Sequence, residues 1–140
     1  MIDIRKATKS DQRDVFDLAV QLATSFKPEE KAFATQFDRV LARDTEVLLV
    51  ATDNGRIVGY CMGSAHSAFY SNGPIAWMEE LFVREERRGD RVGSLLVSAF
   101  EKWSLEQGCV LLTLATRRAA DFYLKLGYER SAEYFKKSVI

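Results

Sequence analysis

The chain has 140 residues, 47% apolar and 29% charged, with only 2 prolines and 8 glycines, which suits one compact domain spanning residues 1–140 and excludes a disordered segment. Its 20 basic and 20 acidic residues cancel, which argues against a protein whose main work is holding nucleic acid. No apolar run is long enough to span a bilayer and no secretion signal is evident, so a cytoplasmic protein is expected, with Cys61 and Cys109 as buried hydrophobes rather than disulfide partners or metal ligands.

Residues 2–7 alternate like a first strand. Thr8 with Asp11 three positions on resembles a capping box, and Val15, Leu18, Ala19 and Leu22 give the helix behind it a buried stripe. Pro28 suits the first turn of a second helix, on which Phe33, Phe37, Val40 and Leu41 share a face. Core packing is the preferred reading of that aromatic face. Residues 46–52 form a strand rich in Val and Leu, Asp53-Asn54-Gly55-Arg56 a hairpin turn, and 57–64 its antiparallel return. Residues 65–74 read as a polar and aromatic loop holding the only histidine, His66, which by itself offers neither a triad nor a metal site.

Residues 75–83 are apolar on both parities except for Glu79 and Glu80, as expected of a central strand buried on both faces. A basic glycine turn follows from Arg84 to Gly93. Val92, Leu95, Leu96, Ala99, Phe100 and Trp103 then recur with helical spacing. A helix start after such a turn offers unpaired N–H groups and a positive dipole end, which together suit phosphate; the plain alternative is a solvated surface turn. Residues 110–115 read as a second fully buried strand. Strand, helix and strand imply a right-handed crossover with parallel strands, whose ligands sit beyond the carboxyl ends. Residues 118–126 form a short helix with Ala119, Phe122, Tyr123 and Leu126 on one face and Gly127 as its cap. Residues 128–131 and 134–139 are expected to close the chain as one bent or two short strands.

Two of these stretches carry a resemblance. Leu81-Phe82-Val83, followed after three residues by Arg87-Arg88-Gly89-Asp90-Arg91-Val92-Gly93-Ser94, is similar to the acetyl-CoA signature of the GNAT superfamily of N-acyltransferases. Arg91 stands where that signature usually has its internal glycine. With right-handed helical dihedrals its Cβ would cost little, and its guanidinium is suited to fork onto a phosphate oxygen. Thr116 to Tyr128 resembles the family's closing motif through Ala119, Phe122, Tyr123, Gly127 and Tyr128, with Thr116 in place of the common asparagine. The resemblance implies an α+β GNAT-type fold: a mixed, mostly antiparallel twisted sheet flanked by helices, with a β-α-β acetyl-CoA-binding core. It implies transfer of an acetyl group from acetyl-CoA to a primary amine, without a metal, by direct attack in a ternary complex. It also brings the acceptor pocket next to the second helix and its aromatics, and suggests a homodimer by analogy.

Its binding residues would be Leu81, Phe82, Val83, Arg88, Gly89, Asp90, Arg91, Val92, Gly93 and Ser94, with Thr116, Ala119 and Phe122 near the pantetheine arm. Tyr123 would be the general acid toward the departing thiolate. A base is needed for the amine, and Glu79 and Glu80 are the candidates, with water as the third. Strict alternation places Glu79 on the face of Leu81 and Val83, which favours it, although a bulge would reset the parity. The rival reading is a non-catalytic acyl-CoA-binding regulatory domain of the same fold. A nucleotide-binding module lacks its Walker lysine pattern and its GxGxxG turn.

Overall fold

A computed structural model describes residues 1–24 and 26–140. Five strands form one sheet in the order β1-β2-β3-β4-β5, with β1 at Ile2–Lys6, β2 at Glu46–Asp53, β3 at Arg56–His66, β4 at Ile75–Val83 and β5 at Leu111–Leu114. Neighbours up to β4 are antiparallel, and β4 with β5 is parallel. This is the mixed, mostly antiparallel α+β sheet that the resemblance implies. Among the described residues no helix is long and apolar enough to cross a membrane.

Helices α1 (Gln12–Leu22) and α2 (Glu30–Ala42) cover one face, and α3 (Val92–Glu106) lies across the other. Each face has its own core. On the α3 side, Val58, Cys61, Met78, Leu96, Phe100 and Trp103 pack together; on the other, Val15, Leu18, Phe37, Val50 and Tyr60 do so. Full burial of such a side chain contributes roughly 1.5–3 kcal/mol. Helix α3 lies so close to the sheet that a Cβ at Gly63 would sit 2.4 Å from the Phe100 ring. The predicted capping box is realised through its acidic half: the Asp11 carboxylate accepts the Thr8 N–H at 2.7 Å and also holds Arg5 at 2.7 and 3.0 Å.

Several expectations are corrected. Leu41 turns out to solvent, leaving Phe37 and Val40 to anchor α2. Strand β3 runs on to His66, which pairs with Ile75, so the histidine ends a strand rather than lying in the loop. Strand β5 is half-exposed, with Leu111 39% exposed, because it forms the sheet edge instead of a buried interior strand. The predicted closing strands do not form. Residues 129–140 are exposed and irregular and pair with no strand, and Tyr134 stacks on Trp77 of β4 at 6.0 Å.

Helix α4 (Ala120–Lys125) is shorter than expected. The Thr116 hydroxyl accepts the Ala119 N–H at 3.0 Å and fixes the turn ahead of the helix, leaving Arg117 and Arg118 outside it. The end of α4 is as predicted. Gly127 has φ 95°, and the Tyr128 N–H closes back on the Tyr123 carbonyl at 3.0 Å, the Schellman arrangement.

Candidate active site

The site begins where β4 and β5 part. Strand β5 pairs only with Ile75 to Met78, so β4 continues through Val83 with its β5-side edge open. At the same point β4 carries a bulge against β3. Met62 faces Glu80 and Gly63 faces Met78, which leaves Glu79 as the extra residue. The inserted residue interrupts the alternation on which the predicted face of Glu79 rested. Glu79 is exposed, whereas Glu80 is half-buried and shares a face with Met62 and Phe82. Beyond Met78 the β5-side edge of β4 therefore has no strand to take its backbone N–H and C=O groups.

Two tyrosines meet this bulge from opposite faces. Tyr60, 1% exposed, donates its hydroxyl to Glu80 Oε1 at 2.6 Å. Burial first, and then the Glu80 charge, push this phenol far above its ordinary range, so it remains a donor. Tyr123 on α4 is 9% exposed, and its hydroxyl lies 3.8 Å from the Met78 sulfur, one residue ahead of the bulge. Burial pushes its pKa up to about 12, so it holds its proton at neutral pH. Its ring is fixed edge-on between Phe122 at 5.0 Å and Tyr128 at 5.7 Å. Tyr128 in turn donates to Glu101 Oε2 on α3 at 2.9 Å, which docks the end of α4.

The basic turn reaches the same opening. After a short 3-10 turn at Glu85–Arg87, Gly89 takes φ 92° and Arg91 takes φ 67°, ψ 12° as the residue capping α3. Arg91 is therefore left-handed, not right-handed as expected for a residue that carries a side chain cheaply. The position demands the conformation that glycine supplies without strain. The first α3 hydrogen bond runs from the Leu95 N–H to the Arg91 carbonyl, so the N–H groups of the opening turn have no partner within the helix. Gly93 admits Phe122 closely: a Cβ there would meet the ring at 3.2 Å.

The four arginines of this stretch divide. Arg84 donates to the Ile57 carbonyl at 2.9 Å, and Arg87 pairs with Asp53 at 2.8 Å and Asp90 at 3.0 Å, so both are occupied by the fold. Arg88 donates to the Val83 carbonyl at 3.2 Å and lies over the Phe82 ring at 5.3 Å while remaining exposed. The Arg91 guanidinium is exposed and makes no hydrogen bond or ion pair among the described residues.

These parts line one cleft of about 1380 Å³. Of the residues proposed from sequence, Glu79, Glu80, Leu81, Phe82, Val83, Arg88, Gly89, Arg91, Val92, Gly93, Ser94, Thr116, Ala119, Phe122 and Tyr123 all line it. Asp90 does not, and serves Arg87 instead. The Thr116 hydroxyl is already engaged by the Ala119 N–H, so at this position it acts on the chain's own backbone. Sequence reasoning missed Tyr60. The available signal was a polar-tipped aromatic within an otherwise aliphatic buried strand, which needs a hydrogen-bond partner.

Residues 44–130 match the family model described as the acetyltransferase (GNAT) domain. The chain belongs to the GNAT acetyltransferase family. It is 31% identical to the aminoalkylphosphonate N-acetyltransferase of Salmonella typhimurium over 143 aligned positions, 98% of this chain and 91% of that one. In structure it superposes on glucosamine-6-phosphate N-acetyltransferase from Arabidopsis thaliana with TM-score 0.87 and 23% identity, covering 100% of this chain and 99% of that chain. It likewise superposes on the aminoglycoside N-acetyltransferase AAC(6')-Iy in complex with CoA with TM-score 0.84 and 20% identity, covering 100% and 96%. The last two likenesses establish the GNAT fold alone.

Proposed function

We propose that this GNAT acetyltransferase moves the acetyl group of acetyl-CoA to a primary amine by direct attack within a ternary complex. The observation that carries the reading is the meeting, in one cleft, of the α3 start, the open β4 edge, Tyr123 and Glu80. The pyrophosphate is received by N–H groups of residues 91–94 at the positive end of α3, with Arg88 and Arg91 in reach of its oxygens. The pantetheine arm lies along the open edge of β4 and brings the thioester to the bulge.

The acceptor enters as an ammonium and gives one proton to Glu80, whose carboxylate is held by the Tyr60 hydroxyl. We prefer Glu80 to Glu79 for this role because it is the half-buried carboxylate with a fixed orientation. The freed nitrogen pair adds to the carbonyl carbon, and the developing oxyanion is met by backbone N–H groups at the bulge. Collapse breaks the C–S bond, the sulfur takes the Tyr123 proton, and both the nitrogen's remaining extra proton and the one held by Glu80 pass to solvent. Solvent then reprotonates Tyr123. The products are the acetamide and CoA.

A melting shift with acetyl-CoA, absent with ATP, tests the binding half. Thiol release across an amine panel tests the reaction. A ligand at a hundred times its dissociation constant should stabilise the fold by about 2.7 kcal/mol. By analogy we expect a cytoplasmic homodimer, which light scattering at micromolar concentration measures in its oligomeric part.

A further inference from the structure

The cleft has two halves of different chemistry. One is the basic turn with the segment leading into α4. The other lies on the opposite face of the sheet, where α1 and α2 contribute Leu22, Phe33, Phe37 and Val40 and β3 contributes Met62. Phe33 and Phe37 both line this half with their rings 5.7 Å apart, and Phe16, outside the lining, braces Phe33 at 5.2 Å. Glu80 marks its inner end beside the bulge.

The polar groups on this wall are acidic or neutral. Gln36 lies on α2, and Glu46 at the start of β2 is met by Arg43 at 3.3 Å. The arginines that line the cleft, Arg87, Arg88, Arg91, Arg117 and Arg118, all belong to the turn and to the approach to α4. Lys136, the one lysine lining the cleft among the described residues, comes from the C-terminal segment and already has a partner in the chain.

We infer that the acceptor is a primary amine on an apolar body, alkyl or aryl, without a phosphate, phosphonate or carboxylate group. The inference rests on the acetyl-transfer reading above and names its substrate class. Glu80 attracts the ammonium end, and the aromatic wall attracts the rest through apolar burial and the ring faces through their affinity for cations. A phosphonate buried on the same wall would lose its water and meet carboxylates, since Arg43, the guanidinium beside this wall, is already paired with Glu46. The chain therefore departs in acceptor from the aminoalkylphosphonate enzyme that it resembles in sequence.

The test follows thiol release at saturating acetyl-CoA with two series. One contains n-alkylamines and 2-phenylethylamine; the other contains 2-aminoethylphosphonate and aminomethylphosphonate. Along the alkylamines kcat/KM should rise about threefold or more per methylene, and 2-phenylethylamine should exceed 2-aminoethylphosphonate by about 10²-fold. Phe33→Ala should flatten the chain-length dependence. Gln36→Arg, on an exposed position of α2 where folding is not at stake, should narrow the ratio about tenfold in favour of the phosphonate. Equal or better turnover of the phosphonates, or turnover of neither series, overturns the inference while the acetyl-CoA melting shift stands. Loss of that shift in the parent protein would instead overturn the acetyl-transfer reading beneath it.

Discussion

Arg91→Gly should make this protein more stable and a poorer binder of acetyl-CoA at once. Arg91 is held at φ 67°, ψ 12°, in the left-handed region. A residue with a Cβ costs roughly 1–2 kcal/mol there. Glycine removes that cost but frees the unfolded chain, which returns roughly 0.5–1 kcal/mol. The net gain is about 0.5–1 kcal/mol, or about 2–4 °C in melting temperature for a domain of this size. The guanidinium is exposed and has no partner among the described residues, so its removal leaves no buried group behind. Acetyl-CoA affinity should fall about 5- to 10-fold at low salt and less at high salt, as expected for an exposed charge facing phosphate. Arg91→Ala separates the two effects, because it loses the guanidinium but keeps the Cβ. It should bind as weakly as the glycine variant and melt with the parent. Scanning calorimetry and acetyl-CoA titration at two ionic strengths supply the numbers. A glycine variant that melts below the parent would refute the strain argument, and unchanged affinity in both variants would remove Arg91 from the phosphate site.

Tyr123→Phe should keep the fold and acetyl-CoA affinity, since its hydroxyl makes only the long contact to the Met78 sulfur, while turnover falls by roughly 10²-fold; parent-like turnover would make Tyr123 a core aromatic. Glu80→Gln should remove the acidic limb of the pH–rate profile, with Glu79→Gln doing less, and the reverse ranking would move the base to Glu79. Tyr60 stays protonated when folded, whereas the unfolded chain releases that proton above about pH 10, so stability falls as pH rises from there by up to about 1.4 kcal/mol per pH unit. Tyr60→Phe should flatten that alkaline slope in melting curves. Asp11 is held below its ordinary pKa first by the Arg5 hydrogen bonds, so its stabilisation is present above about pH 4 and lost on further acidification; Asp11→Asn should destabilise the fold by about 1–2 kcal/mol at pH 7 and weaken the acid dependence, as acid titration by circular dichroism reads out.

What the sequence made legible follows local chemistry. The near-continuous apolar run of residues 75–83 placed β4 to the residue, and helical spacing placed the start of α3 at Val92. Asn54 and Gly55, both at positive φ, form the turn that the dipeptide predicts. What was not legible depends on contacts between distant segments. Tyr60 and Glu80 are 20 positions apart, and no periodicity links them. The occupation of Arg87 by Asp53 spans 34 positions and withdraws from the proposed phosphate site an arginine that local composition had offered to it. The C-terminal strands failed for a related reason: alternation shows that a segment suits pairing, not that the fold brings a partner edge to it.

The carboxylate doublet shows how one residue redirects a site. Side chains on a strand alternate with a period of two, so a single insertion exchanges the faces of everything beyond it. Without the bulge, Met78 and Glu80 would share a face, and Glu80 would point toward the α3 core. With it, Met78 stays on the α3 side beneath Tyr123, while Glu80 turns to the opposite face and meets Tyr60. The same insertion coincides with the point where β5 leaves β4, so the strand edge opens exactly one residue from both tyrosines. In the proposed reaction Tyr123 and Glu80 would thus serve the carbonyl from opposite faces of the sheet, with the ammonium's proton and the thiolate's proton on separate routes. Deletion of Glu79 would remove the bulge yet leave Met78 and Glu80 adjacent and on opposite faces, so Glu80 should keep Tyr60 while β4 loses the extra residue at the point where its edge opens. Turnover should then fall with both side chains still on their faces, and parent-like turnover would deny the bulge itself a role.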